Sequence, residues 1–271
     1  KEFGGGKGAN QAIAASRLAA DTTFISKIGK DGNANFILED FKKAGIHTQY
    51  ILTSENEETG QAFITVDEAG QNIILVYGGA NMTLSATDVE MSVDAFIGAD
   101  FVVAQLEVPF EAIEQAFKIA RKQNITTVLN PAPAIELPKS LLELTDIIIP
   151  NETEAELLTG ISINNESDMK ETATYFLNLG ISAVLITLGE QGTYCAYQEQ
   201  YKIIPACNVK AVDTTAAGDT FIGAFLSELN KDLSNLESAI RLANQASSLT
   251  VQRKGAQASI PTRKEVEAEY N

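Results

Sequence analysis

Short apolar runs of β-type residues alternate along this chain with segments whose apolar residues recur at helical spacing. Phe101-Val102-Val103 reads as a strand, after which Phe110, Ile113, Phe117 and Ala120 mark one face of a helix. Thr126-Thr127-Val128-Leu129 is the next strand, Ile147-Ile148-Ile149 another and Ala183-Val184-Leu185-Ile186 a fourth. Strands that are apolar throughout are buried on both faces. With helices between them they predict an α/β fold whose parallel sheet is covered on both sides. Near the start, residues 10–18 are rich in alanine and predict a buried helix after a run of glycines.

One stretch breaks the alternation. Gln61-Ala62-Phe63-Ile64-Thr65-Val66 and Asn72-Ile73-Ile74-Leu75-Val76-Tyr77 read as two strands around the turn Asp67-Glu68-Ala69-Gly70-Gln71. Such a hairpin is either a sheet edge or a lid over a site. No internal repeat, low-complexity tract or linker interrupts the chain. The reading is one α/β core, residues 1–58 and 81–271, with a small β excursion at residues 59–80.

Charge narrows the function. Thirty-six acidic against 20 basic residues give a net charge of −16, which repels nucleic acid and anionic lipid. Neither is expected as a partner, and an anionic substrate must be gripped by local devices. No apolar run approaches the roughly 20 residues of a membrane-spanning helix. Cys195 and Cys207 form no metal or disulfide pattern and read as thiols of a reducing cytoplasm. The lone His47, in Ala-Gly-Ile-His-Thr, reads as a surface or core residue.

In an open parallel sheet, ligands bind beyond the carboxyl ends of the strands. Read there, the chain delivers Glu107, Asn130, then Asn151 with Glu152 and Glu154, then Thr187 followed by Leu188-Gly189-Glu190-Gln191-Gly192. Any one of these could be a turn or a cap; four on one edge point to a site. The sharpest segment is Asp213-Thr214-Thr215-Ala216-Ala217-Gly218-Asp219-Thr220-Phe221. Small residues precede an apolar helical run, so Ala216, Ala217 and Gly218 should open a helix with their N–H groups bare. Such a helix start holds an anion without lysine or arginine. Asp219, in the first turn, is then placed to take a proton from an attacking hydroxyl. Alone it would be only a favourable first-turn carboxylate; beside bared amides it is more. The opening Gly4-Gly5-Gly6-Lys7-Gly8-Ala9-Asn10 fails as a phosphate loop, because Lys7 is followed by glycine, and fails as a dinucleotide fingerprint. A tight glycine loop could instead bring Lys7 and Asn10 to a small polyol.

These residues resemble the ribokinase-like carbohydrate kinases over essentially the whole chain. Two motifs carry the resemblance: Gly5-Gly6-Lys7-Gly8-Ala9-Asn10-Gln11-Ala12 and Asp213-Thr214-Thr215-Ala216-Ala217-Gly218-Asp219, in which Ala217 stands where glycine is commonest in the wider family. Asn130-Pro131-Ala132-Pro133, Pro150-Asn151-Glu152-Thr153-Glu154-Ala155-Glu156, Ile186-Thr187-Leu188-Gly189 and Arg253-Lys254-Gly255-Ala256-Gln257 support it.

The resemblance implies transfer of the γ-phosphate of ATP to the 5-hydroxyl of a pentose, with the Lys7-Gly8 form pointing to ribose. It implies a sugar pocket lined by Gly5, Gly6, Lys7, Asn10 and Glu107, Asp219 as base, and Ala216, Ala217 and Gly218 as the anion hole. Asn151 and Glu154 would help position Mg²⁺ and phosphate through water. Thr187, Gly189, Gly192 and Gly218 would border the nucleotide, with Asn244 near the adenine. An activating monovalent cation, usually potassium, would be held by Asp213, Thr215, Thr250, Arg253, Gly255 and Ser259, several through backbone carbonyls. The hairpin would be part of a lid that also forms a homodimer contact.

Family members carry a strand, an Asn-x-Asp sugar-binding loop and the first lid strands ahead of the glycine motif, and these 271 residues do not. The expectation is a sheet short of a central strand, an incomplete lid and a missing sugar-gripping carboxylate, in a sequence that omits part of the whole protein. Two further readings stay open: a sibling kinase for deoxyribose, fructose or a nucleoside, and a non-catalytic sugar- or nucleotide-binding protein.

Overall fold

The computed structural model describes residues 3–66 and 72–270, so the turn expected at residues 67–71 lies outside the described residues. Helix α1 (Lys7–Arg17) opens the fold and is followed by β1 (Ser26–Ile28), α2 (Gly32–Ala44) and β2 (Ile51–Thr53). Asp31 starts α2 by accepting the N–H of Ala34 at 2.9 Å, and Gly45 ends it in the left-handed region at φ 82°. β1 and β2 pair in parallel, Ser26 opposite Ile51. Each has 3 residues, too few to show a period, which is why the patterning missed them.

The hairpin is present: β3 (Gln61–Val66) and β4 (Asn72–Tyr77) are antiparallel, with Gln61 opposite Tyr77 and Phe63 opposite Leu75. Its base is pinned to the core. The N–H and hydroxyl of Thr59 donate to Asp31 at 2.7 and 2.9 Å, and the N–H of Ala80 donates to the carbonyl of Glu58 at 2.8 Å.

The chain then enters the main sheet through α3 (Ala86–Met91), β5 (Phe101–Ala104), α4 (Phe110–Lys122), β6 (Thr126–Leu129), α5 (Lys139–Glu143) and β7 (Ile147–Ile148). It continues through α6 (Glu152–Thr159), α7 (Glu166–Asn178), β8 (Ala183–Thr187), β9 (Thr193–Tyr197) and β10 (Gln200–Ile204), and closes with α8 (Ala217–Glu228), α9 (Leu236–Val251) and α10 (Arg263–Tyr270). Strand order in this sheet is β10-β9-β8-β7-β6-β5. The β5 to β8 block is parallel, as the patterning predicts; β9 and β10 are antiparallel additions. Gln198 and Glu199, at φ 48° and 61°, make the two-residue turn between them, a geometry that suits the strand twist and demands positive φ at both positions. β1 and β2 form a sheet of their own, so the expected single sheet is divided in two.

Alternation along each strand splits the core into two layers. Val128, Ile147, Ile149, Ala183, Leu185 and Cys195 face α8 and α9, meeting Phe221, Phe225, Ala243 and Leu249. Leu129, Ile148, Val184, Ile186, Tyr194 and Ala196 face α4, α5 and α7, meeting Phe117, Leu141 and Phe176. Phe117 and Phe176 are fully buried, each contributing about 1.5–3 kcal/mol of transfer free energy. Among the described residues, no helix is long and apolar enough to cross a membrane.

Candidate active site

The parallel strands end on one edge, and their next residues gather there: Gln105 and Glu107 after β5, Asn130 after β6, Asn151 after β7 and Thr187 closing β8. Asn151 and Thr187 are joined by a parallel bridge, so the last two ends are in register. Facing this edge is the start of α8. Ala216 caps that helix at φ 60°, a left-handed conformation that costs an alanine energy. The amides expected to be bare are not all bare: Ala217 donates its N–H to the carbonyl of Thr214 at 3.2 Å, closing a turn. The N–H groups of Ala216, Gly218 and Asp219 have no partner among the described residues, and no side chain caps the helix.

Asp219 sits just inside this helix start and is gripped from α1. The side-chain amide of Asn10 donates to its Oδ2 at 2.8 Å, and that of Gln11 to its Oδ1 at 3.1 Å. The two helices can meet this closely because Gly223 has no side chain. A Cβ there would fall 2.5 Å from the Cβ of Ala14 and 2.6 Å from the backbone oxygen of Gln11. Burial pushes the Asp219 carboxyl above its ordinary value; the amides of Asn10 and Gln11 and the charge of Lys7 pull the other way. A buried carboxyl with a raised proton affinity, held in place by amide donors, is a candidate for proton abstraction.

Residues 4–6 form a lead-in, and the helix begins at Lys7, so Lys7, Gly8 and Asn10 lie on the first turn of α1 instead of in a glycine loop. The N–H of Lys7 donates to Glu107 Oε2 at 2.8 Å, which ties the end of β5 to this helix start. Gly6 adopts φ 90° and lies near the same carboxylate; Gly5 is exposed and meets nothing. Burial pushes Glu107 and Glu154 up, while Lys7 lowers and Asp219 raises both, so one electrostatic field joins the three acids and the lysine. Asn10 Oδ1 is buried with no hydrogen-bond partner among the described residues, while the amide nitrogen beside it holds Asp219. An acceptor left open next to a base awaits a hydroxyl or amine.

Asn151 and Glu154 form a reciprocal cap of α6: Asn151 Oδ1 accepts the N–H of Glu154 at 2.8 Å, and Glu154 Oε2 accepts the N–H of Asn151 at 2.9 Å. Among the described residues no group of three acidic, histidine or cysteine side chains converges as a metal cage. Of the residues assigned to the nucleotide, Thr187, Gly189 and Gly218 reach the surface of this edge. Gly192 and Asn244 do not. A Cβ on Gly192 would meet the carbonyl oxygen of Ile204 at 2.1 Å, so it is a packing glycine. Asn244 is buried, accepts from Thr193 at 3.1 Å and donates to the carbonyls of Ile204 and Pro205 at 3.1 Å each. Both shape the border from beneath.

The cation residues divide in the same way. Asp213 accepts the N–H and hydroxyl of Thr215 at 3.0 and 2.6 Å and the N–H of Gly255 at 2.9 Å, which joins two loops. These bonds hold its carboxyl below the ordinary aspartate value. Thr250 and Ser259 are fully buried, their hydroxyls committed to Thr220 and Ala246 and to Ala256. Of their backbone carbonyls, that of Thr250 already accepts the N–H of Arg253. The side chain of Arg253 turns outward to Glu265 at 2.8 Å.

Two residues that the sequence reading left out of the site, Gln11 and Gln105, join Asn130 in one amide network under Asp219. Gln11 stood inside the glycine motif and Asn130 at a strand end, which was the available signal; Gln105 had none beyond its place before Glu107.

Residues 1–263 match the pfkB family carbohydrate kinases. A ribokinase from Staphylococcus aureus is 65% identical over 98% of this chain and 88% of its own length. A deoxyribokinase from Salmonella typhi is 35% identical over 95% of this chain and 84% of its own. The solved structure of an Arabidopsis thaliana ribokinase complexed with ribose and ATP superposes with a TM-score of 0.89 at 34% identity, covering 97% of this chain and 86% of that one.

Proposed function

This chain belongs to the pfkB family of carbohydrate kinases, and from that footing we propose that it phosphorylates D-ribose at the 5-hydroxyl with ATP. The observation that carries the chemistry is the pairing at Asn10. One end of its amide holds Asp219, and the other end is an open buried acceptor. A sugar hydroxyl donating to Asn10 Oδ1 would bring its neighbour against the Asp219 carboxylate. Glu107, held by the Lys7 N–H, and the side chain of Lys7 would grip the remaining hydroxyls from the opposite side.

Phosphoryl transfer asks mainly for alignment and for charge stabilisation. Asp219 takes the proton of the attacking hydroxyl, and the N–H groups of Ala216 and Gly218 accommodate the charge on the transferring group. The engaged Ala217 N–H shapes the turn that presents them. Thr187 and Gly189 line the nucleotide side, with Gly192 and Asn244 supporting them. Mg²⁺, when bound, neutralises the phosphate charge. Such an ion would be held mostly by phosphates and water, with Glu154 in its outer shell.

Asp213 and the carbonyls of its loop would take potassium, a weakly hydrated ion suited to backbone oxygens. Phe63 and Leu75, paired on one face of the hairpin and exposed, support its reading as a lid with that face meeting a second copy. The surroundings would be cytoplasmic, where ATP is supplied.

The test is ADP release with ATP, Mg²⁺ and potassium, comparing ribose, 2-deoxyribose and fructose by kcat/KM. Ribose should lead. A lead for 2-deoxyribose would reassign the sugar while keeping the chemistry. Sugar binding without turnover would overturn the kinase mechanism.

A further inference from the structure

We infer that Gln11 is a positioning residue for Asp219, oriented by a one-way chain of hydrogen bonds anchored at the Ile149 backbone carbonyl and closed by Gln105. The inference rests on the reading of Asp219 as the base. An amide side chain is nearly the same shape with its oxygen and nitrogen exchanged, so something must decide which end of Gln11 faces the carboxylate. The Ile149 carbonyl decides it. Being an acceptor only, it takes the Asn130 side-chain N–H at 3.0 Å, which turns Asn130 Oδ1 toward Gln11. An oxygen there can be met only by a donor, so Gln11 presents Nε2, at 3.0 Å from Asn130 and 3.1 Å from Asp219. Its oxygen is left pointing away, where the Gln105 side-chain N–H meets it at 2.5 Å.

Gln11 is 2% exposed, and both protons of its amide are used. A flipped Gln11 would set oxygen against the oxygens of both Asn130 and Asp219, and nitrogen against the nitrogen of Gln105. The chain therefore has one direction, and it ends with a proton donated to Asp219. With Asn10 on Oδ2 and Gln11 on Oδ1, the carboxylate cannot turn without breaking one of them, and its remaining lone pairs stay aimed at the incoming hydroxyl. The same arrangement explains Gly8, whose place in the glycine motif had no role above. A Cβ there would fall 2.9 Å from Gln105 Oε1, so the glycine makes room for the residue that closes the chain.

The experiment reads Asp219 with and without turnover. The carboxyl resonance of Asp219, assigned by its loss in D219N, is titrated by ¹³C NMR in the parent, Gln11→Met, Gln105→Met and the double variant. The pH dependence of kcat/KM is measured alongside. Losing one hydrogen bond to the ionised form should raise the Gln11→Met midpoint by about one pH unit. It should lower kcat by roughly tenfold while sugar KM stays within about twofold, a split that a general loss of structure would not give.

Gln105→Met should move the midpoint the same way by less, and the double variant no further than Gln11→Met alone, because Gln105 acts only through Gln11. An unmoved midpoint in Gln11→Met, or additive shifts in the double, overturns the inference. Should Gln11→Met fail to fold, Gln105→Met decides alone: a raised midpoint supports the chain, an unmoved one ends it. Retained turnover in D219N would instead sink the base assignment, while the titration would still judge the positioning.

Discussion

Asp213 and Asp219 belong to one short segment, yet their surroundings push their carboxyls in opposite directions. Asp213 lies near the surface and takes three hydrogen bonds from its own and the neighbouring loop, which hold it below the ordinary range. Asp219 is gripped by two amides from a distant helix, and burial still pushes it up. A carboxylate wrapped in donors is a fixed anion, fit to brace loops or face a cation. One starved of water and held by few donors stays ready to accept a proton. The same residue type, in the same stretch, is set to two tasks by solvation and by the source of its donors.

The comparison breaks first at catalysis. D219N should lower turnover on the order of 10²–10⁴-fold while nucleotide binding, followed by calorimetry, persists. Asp213→Ala should leave turnover measurable at saturating potassium but raise the potassium needed for half-activation several-fold. Equal losses in both variants would erase the distinction.

Next comes the mechanical link. Gly223→Val drives a side chain into α1 and should displace Asn10 and Gln11 from Asp219. A misplacement approaching 1 Å costs up to about 10²-fold in rate. The potassium response should not move, because Asp213 is anchored by Thr215 and Gly255 and not by α1.

Stability sharpens the contrast further, with opposite signs. Asp219, raised in the folded protein, contributes stability below the unfolded aspartate pKa of about 3.9 and loses it as pH climbs through the folded value. D219N should therefore melt higher than the parent at neutral pH, with the difference shrinking in acid. Asp213, lowered in the folded protein, contributes above about 3.9 and loses that contribution as pH falls through its depressed value. Asp213→Asn should therefore melt lower at neutral pH and converge on the parent in acid. Melting curves across pH decide both.

The smallest effect is expected at Asn151→Ala, which removes half of the α6 cap. It should cost about 1 kcal/mol of stability without changing either aspartate's titration.

What could be read in advance follows the range of the interactions. The parallel block was legible because each strand is a continuous apolar run, and the α8 start because small residues and an apolar helix adjoin in sequence. The three-residue β1 and β2 carry no period, and the positive-φ turn that makes β10 antiparallel falls on Gln198 and Glu199, not on the Asn, Asp or Gly that such a turn favours. The segment that carries Asp219 was legible and the side chains that hold it were not. Gln11 meets Asp219 across 208 positions and Gln105 across 94, and no local pattern announces such a meeting. Gly192 and Asn244, which the resemblance implies at the nucleotide border, are buried in this fold, a property no local pattern announces.

The backbone contact at Gly223 has an implication for redesign. The spacing between α1 and α8 is set where the bare backbone of Gly223 meets the Ala14 methyl and the main chain at Gln11 and Ala15. On the proposed roles, the Lys7 side chain can be varied to court other sugars while the Gly223 contact keeps Asp219 in place. Recognition becomes adjustable and chemistry does not, with a single missing methyl group as the boundary between them.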